Sequence, residues 1–144
     1  MKGSLRTGVS FGITSGVITT LGLMIGLHSG THSKLAVVGG IVTIAVADAF
    51  SDALGIHISE EAKNSGPAVG VWEATVATFA AKCVIALSFV VPVLVLELDT
   101  AIVVAAVWGL SLLSALSFVL ARVQGSSPWK VIGEHLAIGV SVIA

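Results

Sequence analysis

Residues 100–121 read TAIVVAAVWGLSLLSALSFVLA, 22 positions without an Asp, Glu, Lys, Arg or His. As an α-helix this stretch would run ~33 Å, just enough to cross the ~30 Å hydrocarbon core of a bilayer. A helix that is apolar all round needs either lipid or a large protein interior about it, and 144 residues cannot supply the interior. The rest of the chain has the same character: 56% of its residues are apolar, 10% are charged and the mean hydropathy is +1.06. These values define a membrane protein. A net charge of -1 leaves no basic field for a phosphate backbone, which argues against nucleic acid as a partner. The single cysteine, Cys83, excludes an internal disulfide.

Working outward, 27 residues without Asp, Glu, Lys or Arg separate Arg6 from Lys34, too long a run for the apolar region of a signal peptide, so the segment is read as a retained helix. A second span runs from about Leu35 to Ile56 despite Asp48 and Asp52. A polar segment, 59–72, follows as a short cytoplasmic linker containing Glu60, Glu61, Lys63 and the Asn64-Ser65-Gly66-Pro67 breaker. The third span covers roughly Ala74 to Leu96 and should kink at Pro92. Glu97 and Asp99 form a turn into the fourth span, which Arg122, Gly125 and Pro128 end. Val131 to Ala144 would reach only ~21 Å as a helix, an incomplete fifth span that needs a thinner bilayer or a longer natural chain. The expected architecture is all-α, one transmembrane bundle of five helices with the fifth short.

With the N-terminus cytoplasmic, Lys2, Arg6, Lys63, Lys82, Arg122 and Lys130 fall at or snorkel toward the cytoplasmic side, against Lys34 alone on the other. Trp72 and Trp129 then stand at the interface, and Trp108, inside the fourth span, is assigned to packing. No organelle signal is readable, and a prokaryotic plasma membrane suits the short chain.

Asp48 and Asp52, four residues apart, share one face of the second span. Each costs ~2.5–3.5 kcal/mol near mid-membrane, and binding a cation is an economical reason to keep both. Two close carboxylates also let an arriving cation displace a proton. Ser15 and Thr19, again four apart, offer hydroxyl oxygens from the first span, although such hydroxyls often bond their own backbone. His57, Glu60, Glu61 and Glu73 gather imidazole and carboxylate at one cytoplasmic mouth, a mixture suited to Fe2+, Mn2+ or Zn2+. Small residues line the second span (Ala45, Ala47, Ala49, Ser51, Ala53 and Gly55), and glycines recur every four residues in the first (Gly8, Gly12 and Gly16, then Gly22, Gly26 and Gly30). Such strips mark close helix contacts more often than a pore wall.

The run FGITSGVITTLGLMIGL (11–27), the run ADAFSDALGIHISE (47–60) and the Pro92 span, taken in order, resemble the vacuolar iron transporter family over nearly the whole chain. The resemblance implies a five-helix protomer working as a homodimer, with a metal path between subunits and Fe2+ or Mn2+ exported from the cytosol in exchange for protons. The metal is cargo, and no permanently bound cofactor is expected. Three departures stand out. Ser15-Gly16 replaces the family's Asp-Gly, Asp52 replaces a methionine, and the long Glu-rich metal-binding domain has shrunk to the 59–72 linker. Losing a thioether and gaining a carboxylate makes the site harder and shifts its preference toward Mn2+. The leading expectation is therefore a divalent-metal transporter and not an enzyme, with Asp48, Asp52, Ser15 and Thr19 in the membrane and His57, Glu60, Glu61 and Glu73 at the mouth. A non-transporting scaffold that kept the fold is the alternative. An intramembrane aspartyl hydrolase is weaker, since its two carboxylates would have to face each other from different helices.

Overall fold

A computed structural model describes residues 3–63 and 68–144. Lys2 and the Asn64–Pro67 breaker lie outside the described residues. The chain forms α1 (Gly3–Thr31), α2 (Lys34–Thr43), a π-helical turn (Ile44–Asp48), α3 (Ala49–Ala62), α4 (Ala68–Ser88), α5 (Val90–Val95), α6 (Leu98–Gln124) and α7 (Pro128–Ile143). Because α2, the π turn and α3 run on as one rod, and α4 with α5 as another, these are five rods in all. Four of them, Gly3–Thr31, Lys34–Ala62, Ala68–Val95 and Leu98–Gln124, are long and apolar enough to cross a membrane. The expected all-α bundle with a short fifth helix is what the chain adopts.

Local chemistry sets the ends of the rods. His32 takes a left-handed φ of 48° between α1 and α2, and the Ser33 hydroxyl then accepts the Ala36 N–H at 3.2 Å to cap α2. Gly125, at φ 68°, stops α6, with the Ser126 N–H returning to the Ala121 carbonyl at 3.0 Å. Pro128 opens α7 at a position where no N–H is needed. Pro92 cannot donate to Ser88, so the third rod breaks at Phe89, whose N–H tightens onto Ala86 O at 3.1 Å. Ser88 Oγ, near this break, receives the indole N–H of Trp108 at 3.0 Å. Trp108 is thus not simply packed; it is 43% exposed and anchors α6 to the broken rod.

The polar 59–72 segment is shorter as a connection than its composition suggests. α3 extends to Ala62 and α4 already begins at Ala68. Charged residues at rod ends extend helices into the headgroup region, which composition alone does not separate from a loop.

α1 is the central rod, packed on α4, α6 and α2, while α7 lies against α6 and α3 against α4. The first three glycines of the α1 strip explain its contact with α4. A Cβ at Gly12 would lie 2.6 Å from the Thr78 carbonyl oxygen and 2.8 Å from Ala81 Cβ, and one at Gly8 would strike the backbone of Ala74. Gly26 and Gly30 instead meet open space, so the close helix contact is confined to the N-terminal part of the strip, with Gly22 only in ordinary contact with Val142 of α7. Val17, Leu21, Met24, Ile41, Phe89 and Leu113 fill the core. Large apolar side chains such as Leu54, Val76, Val95 and Val103 face outward at 59–72% exposure, as lipid-facing positions do. Trp72 and Trp129 are exposed as well.

Candidate functional site

The π turn sits at the centre of the second rod. Its extra residue lets the Ala49 N–H reach Ile44 O, and the Ala45 carbonyl accepts the Cys83 thiol at 2.6 Å. Cys83 therefore holds α4 to the turn. Ala45, Ala49 and Ala53 are buried, whereas Ala47, Ser51 and Gly55 stay exposed, so the second rod carries two small strips of opposite fate.

Asp48 closes the π turn and Asp52 lies one turn further along α3. Both carboxylates reach the ammonium of Lys82 on α4, through Asp48 Oδ2 and through Asp52 Oδ2, the latter at 2.5 Å. Ser15 of α1 completes the group: its Oγ accepts from Lys82 Nζ at 2.8 Å and donates to Asp52 Oδ2 at 2.5 Å. Three rods thus converge on one ammonium, whose three N–H donors are all used.

Lys82 corrects the reading of a lysine that snorkels to the cytoplasmic side. It is 0% exposed and lies 14 residues from Ala68 and 13 from Val95, the middle of its rod. At ~1.5 Å per residue that is ~20 Å from either end, beyond the reach of a four-carbon stem. The positive-inside tally loses that residue.

The other expected site residues lie apart from this group. The Thr19 hydroxyl bonds back to Ser15 O at 2.7 Å, the backbone role common for such residues. His57 and Glu61 do align on the extended α3, with 3.6 Å between Nε2 and Oε1. His57 Nδ1 contacts Thr75 Oγ1 at 2.9 Å, and its ring packs edge-on against Trp72 beside an aromatic-walled crevice of about 440 Å³. Glu60 pairs with Lys63 at 2.7 Å, and Glu73 accepts from the Ser4 hydroxyl at 2.8 Å. Each carboxylate at the mouth has its own partner. Among the described residues no three His, Cys, Asp or Glu gather closely enough to hold a metal ion. At the opposite end of α1, His28 meets Asp99 of α6 at 2.6 Å.

The fold and this buried cluster define a multi-pass α-helical membrane protein with an intramembrane Lys–Asp–Asp–Ser group. Compared with protein-family models, curated proteins and solved structures, the chain matches none.

Proposed function

We propose that this protein moves a divalent cation, Fe2+ or Mn2+, across a membrane by way of the oxygens of Asp48, Asp52 and Ser15. The observation that carries the reading is the depth of those oxygens. Asp48 lies 14 residues from either end of the Lys34–Ala62 rod, where charge is most expensive and intramembrane carboxylates serve ion or proton pathways by default. The resemblance to vacuolar iron transporters supports the same cargo, proton exchange as its driving force and a cytoplasmic N-terminus. His57, Glu60, Glu61 and Glu73 would act at the mouth as separate way stations for the ion, since they do not form one site.

A homodimer fits this reading. The Asp48 side chain is 34% exposed in a single protomer, an uncomfortable state at mid-membrane. The neighbouring strip of Ala47, Ser51 and Gly55 is open and smooth enough for a second copy to approach and cover it. Ser51→Cys should therefore give an oxidant-induced dimer in native membranes, and Val103→Cys on α6 should not. Equal cross-linking at the two positions would count against this face.

Transport is checked in proteoliposomes. The wild type should accumulate Mn2+ with proton counterflow, and the triple variant Asp48→Asn, Asp52→Asn, Lys82→Met, whose site carries no charge, should accumulate none. The triple variant avoids the orphaned lysine that removing the aspartates alone would create. Uptake by the triple variant at the wild-type rate would sink the proposal. The scaffold reading draws on a different observation, that every donor of the Lys82 ammonium is already satisfied, and wild-type vesicles without uptake would favour it.

A further inference from the structure

Asp48 Oδ2, Asp52 Oδ2 and Ser15 Oγ converge on one point, and the ammonium of Lys82 stands there. Three oxygens about one centre, two of them anionic, form the kind of donor set that a hard cation takes. The site therefore already holds a cation, one that is covalently attached to its wall. With the ammonium in place the group carries a formal charge of -1, and with the ammonium withdrawn the two carboxylates alone match a divalent ion. A metal ion approaching the filled site meets an ammonium at contact distance in a low-dielectric interior, where like charges repel most strongly.

The packing brings this lysine in deliberately close. A Cβ on Gly12 would lie 3.2 Å from the Lys82 backbone N, and one on Gly16 would lie 3.6 Å from its Cα. The glycines let α4 come near enough to α1 for the side chain to pass beneath Ser15. The ammonium ends a flexible four-carbon stem, so side-chain torsions alone change its place.

We infer that Lys82 is a tethered occupant of the cation site, its ammonium filling the place of a divalent ion until it swings aside, still charged, to admit one. This rests on the transport reading above and adds the device that keeps the path shut when no cargo is bound.

The test is Mn2+ binding to the purified full-length protein in detergent at fixed pH, followed by loss of the free-ion paramagnetic resonance signal. Lys82→Met and Lys82→Gln should each bind Mn2+ at least tenfold more tightly than the wild type, Lys82→Arg should not, and adding Asp52→Asn to Lys82→Met should abolish the gain. Gln keeps hydrogen-bond donors for the carboxylates and serves if the Met variant does not fold. Failure of both variants to fold would also overturn the inference, because an ammonium that leaves the site in every cycle cannot be indispensable to the bundle. Binding no tighter than wild type in a folded variant, or a gain that survives Asp52→Asn, overturns it directly. The two proposals fail separately. Tighter binding by Lys82→Met with no wild-type uptake leaves the tethered cation standing and removes transport; uptake without tighter binding does the reverse.

Discussion

Replacing Asp48 and Asp52 together by Asn is expected to lower the unfolding free energy by about 3–5 kcal/mol, the usual cost of leaving a buried charge without its partner. Lys82 has no exposure and, among the described residues, no other anion in contact, so its ammonium would be stranded among neutral groups. Adding Lys82→Met removes the stranded charge and should recover most of the loss, because a neutral interior of similar volume replaces an ion group without a large net penalty. The measurement is unfolding in mild detergent under a denaturant titration, comparing wild type, double and triple variants. A triple variant no more stable than the double would show that the carboxylates act separately from the lysine. The single variants should fall between, since either aspartate alone still offers Lys82 one anionic partner.

The second large effect is expected at Gly12. Gly12→Leu should destabilise the bundle by about 3 kcal/mol in the same assay, the upper part of the usual overpacking range. The obstacle is the Thr78 carbonyl, 2.6 Å from the new Cβ, and backbone yields less readily than a side chain. Since α1 and α4 also deliver Ser15 and Lys82, prying them apart should weaken the ion group along with the packing. Gly26→Leu on the same helix supplies the comparison. Nothing lies within 4 Å of its Cβ position, so its stability should stay within about 0.5 kcal/mol of wild type. Equal losses at the two glycines would count against the α1–α4 contact as the cause, because Leu forms helix better than Gly and propensity alone would not lower stability at either position.

Much of this architecture is legible in the chain because lipid imposes simple rules. Runs of uncharged residues had to become spanning helices, and Gly125 and Pro128 had to end one and begin another. The alignment of His57 with Glu61 and the shared face of Asp48 and Asp52 follow from helical spacing alone. Lys82 is the exception, for a traceable reason. Placing the start of the third span at Ala74 puts the lysine about two turns from the interface, where snorkelling is plausible, whereas the rod begins at Ala68. That extra length turns a boundary residue into a central one. The π turn has no comparable signal, since Ile44–Asp48 shows nothing that separates it from ordinary α-helix.

The sequence by itself determined that the protein is a helical membrane bundle and that two carboxylates lie on one face of its second span, because hydropathy and the 3.6-residue period are local properties. Only the tertiary structure decided what those carboxylates face. The pairing of Lys82 with residues 30 and 34 positions earlier depends on how the π turn and α3 pack on α4, and its bond to Ser15 depends on how closely α1 approaches α4, a distance set by glycines whose partners are on another helix. The charge that looked like a marker of topology is in fact the centre of the ion group that joins three rods.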